Sequence, residues 1–326
     1  MKVFVTGATG LLGNNIVREL VSREIEVCGL VHQNTNSNCF SNLPVEIKYG
    51  DICDYNSLLT AAENFDIIIH CAALTKMNAR NESYEKVNIE GTKNILNAAE
   101  FLKIKRLVYV STSNVLGPGS KENPGNELSP YAFSKFNSGY IRSKFDAQQL
   151  VTEFSKTSSF EIISVAPTFI LGPYDFGPSS GQIILMGLRN KIVLCPRGGK
   201  NFVSAIDASI AVCNSITMGQ NGEIYLLASE NLTYKEFFSK IELITNKKLI
   251  KIPVPKFILL FLGIIGSCLE FILFKPLSLN YTNAKLLCLD NYFVSKKAIE
   301  EIELENKPID ETLRIAIDWF GKSIGK

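Results

Sequence analysis

The sequence predicts an α/β protein with a doubly wound parallel sheet, followed by a smaller α+β lobe. Strand-like and helix-like patterns alternate through residue 166, which is typical of a parallel sheet covered on both faces. A glycine-rich turn joins the first predicted strand to the first predicted helix. From about residue 174 the alternation becomes irregular. We therefore divide the chain into a sheet domain, residues 1–173, and a C-terminal lobe, residues 174–326.

The predicted strands are short runs rich in β-branched and aromatic residues, and the predicted helices repeat apolar residues at a helical period. The strands are placed at 2–6, 26–31, 45–49, 66–71, 106–111 and 161–166, with helices near 11–23, 56–64, 83–102 and 139–156. Ligands of such sheets bind at the carboxyl ends of the strands. The residues that follow each strand are therefore the candidates for function.

The turn after the first strand carries Gly7, Gly10 and Gly13 at spacings of three. A strand, a glycine turn and a helix N-terminus together form an anion site, because the backbone can approach a pyrophosphate and free N–H groups point at it. The following βαβ pattern favours this Rossmann-type dinucleotide site over a tight turn without a ligand. Its binding residues are Gly7, Thr9, Gly10, Leu11, Leu12 and Gly13.

The residues after the second strand indicate which cofactor, NAD or NADP, is preferred. NAD-binding proteins usually place an acidic residue here, and NADP-binding proteins an arginine. Neither is present directly after this strand, and no lysine or arginine occurs between Arg23 and Lys48. His32, Gln33 and Asn34 could instead donate hydrogen bonds to a 2′-phosphate. The loop therefore favours NADP over NAD, with a solvated polar loop as the alternative.

Small and polar residues follow the third and fourth strands. Asp51, next to Ile52, could accept a hydrogen bond from the adenine amine or could cap the next helix. Cys71, Ala72 and Ala73 are small enough for the backbone to lie against the cofactor.

The fifth strand runs into Ser111, Thr112 and Ser113. A tyrosine can act as an acid or base near neutral pH if a lysine four residues later on the same helix face stabilises its phenolate. This spacing occurs four times, at Tyr131–Lys135, Tyr140–Lys144, Tyr281–Lys285 and Tyr292–Lys296. Tyr140 lies 28 residues after Thr112 and opens a long helical pattern, so we favour Tyr140 and Lys144, with Tyr131 as the rival.

These motifs resemble the extended short-chain dehydrogenases/reductases, the NAD-dependent epimerase/dehydratase family. The similarity is carried by ATGLLG, by Asn88-x-x-Gly91-Thr92, and by Tyr140-x-x-Ser143-Lys144. Val115-Leu116-Gly117 and the long gap to Tyr140 are most similar to dihydroflavonol-4-reductase-like, 3β-hydroxysteroid-dehydrogenase-like and hopanoid-associated members. Gln148 stands where the family has glutamate, and Ser113-Asn114 where its dehydratases have Asp-Glu.

The resemblance implies roles for individual residues. Tyr140 is the general acid/base, Lys144 supports it and contacts the nicotinamide ribose, and Thr112 holds the substrate oxygen. Asn88 stabilises the sheet centre. Residues 202–207 return to the sheet as part of the segment 201–228. Further cofactor contacts are Ser111, Pro167 and Thr168, and substrate contacts are Ser113, Asn114 and Phe169.

Three functions follow from this pattern. The first is an NAD(P)-dependent oxidoreductase that transfers a hydride to or from a carbonyl or hydroxyl of a small, fairly apolar substrate. The second is a nucleotide-sugar epimerase, for which Arg189, Lys191 and Arg197 are the candidate phosphate clamp. The third is a non-catalytic dinucleotide-binding protein, which the intact catalytic residues disfavour.

Composition limits the remaining partners. A net charge of +2 gives no basic footprint for nucleic acid, and two histidines give no basis for a metal site. Eight cysteines without a C-x-x-C pair, and no visible signal peptide, predict a cytoplasmic protein with reduced thiols. Residues 257–274 form an apolar helix, which a polar stripe of Gly263, Gly266, Ser267 and Glu270 assigns to the lobe, with peripheral membrane contact as the alternative. A homodimer through helices 83–102 and 139–156 is a further option implied by the family.

Overall fold

The computed structural model describes residues 1–33, 38–76, 81–273, 277 and 279–324. The expectation for Asn34 therefore lies outside the described residues. The sheet domain contains β1 (Lys2–Thr6), α1 (Leu11–Ser22), β2 (Glu26–Val31), β3 (Glu46–Tyr49), α2 (Tyr55–Ala61), β4 (Ile67–His70), α3 (Asn81–Tyr84), α4 (Gly91–Phe101), β5 (Arg106–Val110), α5 (Gly139–Phe154) and β6 (Glu161–Pro167).

The central sheet is parallel and confirms the predicted fold class. In the part of the chain that the structure describes, its seven strands follow the order β10-β6-β5-β4-β1-β2-β3, where β10 is Ile224–Leu227. One apolar core lies between the sheet and α1, together with α7 (Ala205–Met218), and a second core lies between the opposite face and α2, α4 and α5. The strand order reverses between β1 and β4, which is where a doubly wound sheet binds its ligand.

The lobe contains β7 (Phe169–Leu171), α6 (Gln182–Arg189), β8 (Ile192–Pro196), β9 (Gly199–Ser204), β11 (Glu230–Thr233), α8 (Tyr234–Thr245), β12 (Ile250–Val254), α9 (Lys256–Leu273), α10 (Tyr281–Leu287), β13 (Asp290–Asn291), α11 (Lys296–Ile302) and α12 (Ile309–Ile324). In it, β9 pairs with β7, β11 and β13, and β8 pairs with β12. A third apolar core joins α6, α8 and α12.

The segment 201–228 enters the central sheet differently from the expectation. The prediction that 202–207 forms the returning strand is wrong, because β9 pairs with lobe strands and residues from Ala205 onward are helical. Only β10 joins the central sheet, next to β6. Thr168 separates β6 from β7, so the chain passes from the central sheet into the lobe sheet at that residue.

The predicted helix 83–102 is interrupted. A wide π-helical turn, Glu85–Glu90, separates α3 from α4. Asn88 lies in this turn, and its amide bonds both the N–H of Leu74 (2.7 Å) and the carbonyl of Leu74 (3.2 Å). The same amide donates to Ser143 Oγ on α5 (2.9 Å). Such turns are frequent at functional sites, and here the turn connects the segment after β4 to α5.

Candidate active site

The glycine turn forms a close-fitting cradle at the carboxyl end of β1. Gly7 has a φ of +66°, and a Cβ there would lie 2.6 Å from the backbone nitrogen of Ala72. A Cβ on Gly13 would lie 2.1 Å from the Gly7 carbonyl oxygen. The Gly10 N-cap of α1 has no side-chain cap, so the N–H groups of Leu11 and Leu12 in the first turn are available to an anion, while the Gly13 N–H points at Cys71 Sγ. The cradle therefore fits a dinucleotide pyrophosphate.

The cradle gives a direct prediction. Gly13→Ala should weaken NADPH binding by tenfold or more, as a rough estimate, because the new methyl collides with backbone rather than with a flexible side chain. Fluorescence titration with NADPH measures this affinity. Gly321→Ala is the matched control, since a Cβ there meets nothing within 4 Å. Equal NADPH affinity of the two variants would contradict the cradle assignment.

At the adenine end, the structure excludes one of the two roles considered for Asp51. The N-cap of α2 is Asp54, which accepts from Asn56 and Ser57, so Asp51 does not cap this helix. Asp51 accepts from the Cys53 N–H (2.9 Å), and its second oxygen lies 3.9 Å from His32 Nε2. His32 and Gln33 are exposed after β2, on the same side of the sheet as Asp51.

The three predicted catalytic residues meet beyond β5. Thr112 caps a short turn by accepting from the Asn114 N–H (3.3 Å), and its hydroxyl lies within hydrogen-bonding reach of Tyr140. Tyr140 is in the first turn of α5, which Ser138 caps, and Lys144 lies one turn later. Lys144 Nζ donates to Tyr109 Oη and to the Val110 carbonyl, both at 2.9 Å. The sequence spacing therefore brings a phenol, a hydroxyl and a lysine to one place.

Burial sets the protonation of this group. It raises the pKa of Tyr140, an effect that the Thr112 hydroxyl partly opposes. It lowers the pKa of Lys144 to about 7, while the nearby Cys71 thiol has the opposite, smaller effect. Tyr140 is therefore a protonated phenol near neutral pH in the cofactor-free protein, and an acid rather than a base.

A buried polar chain behind Lys144 was missed from the sequence. The Thr92 hydroxyl donates to the Asn88 carbonyl (2.7 Å), so His70 Nε2, 3.2 Å away, has to donate to Thr92. His70 Nδ1 then accepts from Thr6 Oγ1 (2.8 Å). Burial lowers the pKa of His70 to about 3, which keeps the ring neutral. Thr92 also lies within reach of Tyr109, and so orients the phenol oxygen that accepts from Lys144.

In its protonated form, Lys144 has one N–H donor left for the active site. An ammonium group has three N–H donors, and Tyr109 and Val110 take two of them. Among the described residues no further acceptor bonds Lys144. A tyrosine in the β5 strand, facing the helix that carries the lysine, is the sequence signal that could have identified Tyr109.

The predicted nicotinamide end lies where the central sheet meets the lobe. Ser111 Oγ is buried without a hydrogen-bond partner among the described side chains, as expected of a group that awaits a ligand. Thr168 donates to Asn201 Oδ1 (2.7 Å). Phe169 packs against Phe202, with Lys200 Nζ 5.0 Å from its ring centre. The remaining predicted contacts in this region are Cys71, Ala72, Ala73, Ser113, Asn114 and Pro167.

The rival tyrosines do not form an equivalent group. Tyr131 precedes α5 and stacks on Phe145 at 3.9 Å, so Lys135 is not one helical turn away from it. Tyr281 lies on α10, and Tyr292 is buried in the lobe. The candidate phosphate clamp, Arg189, Lys191 and Arg197, lies at the end of α6 and at the two ends of β8.

The fold and the cradle are those of a dinucleotide-binding enzyme, and Thr112, Tyr140 and Lys144 are its candidate catalytic side chains. The model of the NAD dependent epimerase/dehydratase family matches residues 3–223. The chain belongs to this family, as the resemblance implied, and is an oxidoreductase-type enzyme that uses a nicotinamide dinucleotide. Within the described residues, no cluster of three His, Cys, Asp or Glu side chains could hold a metal.

Individual relatives have low sequence identity to this chain but match most of its length. A Synechocystis sp. protein, provisionally named a dihydroflavonol 4-reductase, is 28% identical over 97% of this chain and 94% of its own length. A Stigmatella aurantiaca 4-hydroxy-2-methyl-3-oxo-4-farnesyl-3,4-dihydroquinoline-1-oxide ketoreductase is 31% identical over 70% of this chain and 68% of its own. The crystal structure of gox2253 superposes with a TM-score of 0.86 at 26% identity, covering 98% of both chains.

Proposed function

We propose that this protein reduces a ketone of a small, fairly apolar substrate to an alcohol at the expense of NADPH. The observation that carries the proposal is the Thr112–Tyr140–Lys144 group, in which Thr112 and Lys144 are buried and Tyr140 is partly exposed. The raised pKa of Tyr140 keeps a proton ready for donation. A ketoreductase that acts on a farnesylated compound, among the relatives, supports both the reaction and the apolar substrate.

Each residue of the group has a separate role in the proposed reduction. When bound, the nicotinamide supplies a hydride to the carbonyl carbon. Thr112 donates a hydrogen bond to the substrate oxygen, and Tyr140 Oη gives that oxygen the proton that completes the alcohol. Lys144, held by Tyr109 and Val110, stabilises the phenolate that remains. Ser111, Ser113, Asn114 and Phe169 contact the nicotinamide and the substrate.

The preference for NADP over NAD rests on the loop after β2. His32 and Gln33 are exposed polar side chains there, and no acidic residue of that loop would repel a 2′-phosphate. In this proposal, Asp51 accepts a hydrogen bond from the adenine amine.

The direct test follows reduced-nicotinamide absorbance with NADPH and with NADH, against a panel of apolar ketones and of nucleotide sugars. We expect net consumption of NADPH with a ketone and slower consumption of NADH. An epimerase is the second candidate, since it would use the same three residues. Interconversion of a nucleotide sugar without net consumption of NADPH would overturn the reductase proposal.

We also propose a cytoplasmic homodimer that packs through α4 and α5. All eight cysteines are free, in keeping with a reducing compartment. Phe101, at the end of α4, is 70% exposed and would be covered in such a dimer. Sedimentation of Phe101→Ser tests this, because a dimer of unchanged affinity would exclude the α4 interface.

A further inference from the structure

Helix α9 leaves most of its apolar surface uncovered. Its 18 residues have a mean hydropathy of 2.2, yet only 17% of them are buried. Those that are buried, Leu259, Gly263 and Gly266, lie on one side. Among the described residues, ten large apolar side chains of this helix are exposed, including Phe257 (72%) and Phe261 (63%).

The polar stripe of α9, from which the sequence assigned this helix to the lobe, faces α10. α10 packs on the glycines so closely that a Cβ on Gly263 would lie 2.7 Å from Ala284 Cβ. Glu270, the helix's single acidic residue, accepts from the Leu277 N–H (2.6 Å) and from Asn280 Nδ2 (3.2 Å). Ser267 Oγ accepts from the Tyr281 N–H (3.0 Å). The outward side therefore carries no charged group between Phe257 and Leu273.

The exposed arc is wider than one protein neighbour covers. At 3.6 residues per turn, the exposed apolar positions span roughly 200° of the helix circumference, whereas a helix packed against a protein core needs an apolar stripe of about 100°. An apolar surface this wide is complementary to a surrounding apolar medium. A second protein surface would leave much of it in water.

The strand that leads into α9 also exposes apolar side chains. β8 and β12 place Ile192 opposite Ile250, and Leu194 opposite Ile252, and all four side chains are exposed. Lys248 and Lys256, on either side of β12, are exposed and form no ion pair with a described residue. Cationic side chains that flank an apolar surface complement anionic lipid headgroups.

The topology excludes a spanning helix. β12 enters α9 and pairs with β8, while β13 follows α10 and pairs with β9, the strand directly after β8. Both flanks of α9 therefore belong to one folded lobe on one side of any bilayer. The helix is roughly 27 Å long at 1.5 Å per residue and can lie in the interface plane.

From these observations we infer that α9, together with the outer face of the β8–β12 sheet, docks the protein on an anionic phospholipid bilayer. The docking adds a membrane partner to the proposed reductase and does not depend on its reaction. It gives the enzyme direct access to substrates that partition into lipid.

Flotation of the full-length protein with vesicles tests the docking. The vesicles are phosphatidylcholine, with or without about one third phosphatidylglycerol. We expect flotation with both, stronger on the anionic vesicles and weakened by salt, since each lysine near the surface contributes on the order of 1 kcal/mol. Phe257→Ser combined with Phe261→Ser should reduce partitioning by roughly a hundredfold.

Leu128→Ser is the matched control, because Leu128 is 91% exposed and lies far from α9 in the sequence. It should float like the wild type. Ile264→Asn is a second α9 variant, which repeats the test if the double variant folds poorly, as circular dichroism would show. Unchanged flotation of a folded α9 variant, or a wild type that stays with the soluble fraction, would overturn the inference. So would an α9-dependent dimer without vesicle binding, which would make a second copy the partner. NADPH-dependent turnover in solution is measured in parallel, so that failure of docking is distinguished from failure of the proposed reaction.

Discussion

Replacing Tyr140 by phenylalanine is expected to lower kcat for ketone reduction by roughly 10²- to 10⁴-fold, because the proton donor to the substrate oxygen is lost. The ring and its contact with Tyr84 (6.5 Å between ring centres) are kept, so NADPH affinity should change little. Steady-state turnover and NADPH titration of the same preparation separate the two effects.

Tyr131→Phe is the matched control for this prediction. Tyr131 also precedes a lysine by four residues, but Tyr131 lies before α5, and its ring stacks on Phe145 of that helix. We expect its turnover to stay within a fewfold of the wild type. Loss of turnover in Tyr131→Phe with retention in Tyr140→Phe would transfer the catalytic role to Tyr131.

Replacing Lys144 by methionine is expected to abolish most turnover and, at the same time, to stabilise the cofactor-free protein at about pH 6. Burial lowers the pKa of Lys144 from 10.5 to about 7, so the folded state bears the cost of a buried charge below pH 7. Each pKa unit corresponds to about 1.4 kcal/mol, and lost hydrogen bonds to Tyr109 and Val110 offset part of the gain. We expect a net increase in the free energy of unfolding on the order of 2 kcal/mol.

The pH dependence of this gain is the sharper test. Between pH 7 and 10.5 the unfolded chain holds the lysine proton and the folded chain releases it, so the stability contributed by this site rises with pH. The advantage of Lys144→Met should therefore shrink from about pH 7 to about pH 10. Urea unfolding of both proteins at about pH 6 and pH 9.5 measures it. An advantage that stays constant or grows with pH would contradict a lysine of lowered pKa.

The sheet, and the position of Tyr140 and Lys144 one turn apart on a long helix, could be predicted because they depend on local patterns. Strands such as β1 and β6 are apolar and almost entirely buried, and the glycines after β1 recur at spacings of three because the backbone of the turn is tightly packed. Tyr140 and Lys144 were separable from three other tyrosine–lysine pairs because only they open a long helix. The end of β5 gives the run of three hydroxyl residues from Ser111 to Ser113, and the family resemblance selects Thr112 among them.

The remainder depends on long-range contacts that no local pattern records. The π-helical turn at Asn88 forms around bonds to Leu74 and Ser143, which come from two other segments. The chain from Thr6 through His70 and Thr92 to Tyr109 joins residues of four elements. The pairing of β9 with lobe strands is equally non-local, and its sequence does not distinguish one sheet from the other. For α9, the apolar face could be read from the sequence. That no described part of the chain packs against this face could be seen only in the structure.

The most direct test of the central claim follows an isotope. The enzyme is incubated with an apolar ketone and with NADPH that carries deuterium at the transferable position of the nicotinamide, and the product is weighed by mass spectrometry. We predict an alcohol with one deuterium and an equal amount of NADP formed, and roughly a hundredfold or more less labelled alcohol from Tyr140→Phe at the same reaction time. Interconversion of a nucleotide sugar, with no labelled alcohol formed from the ketone, would contradict the reductase assignment.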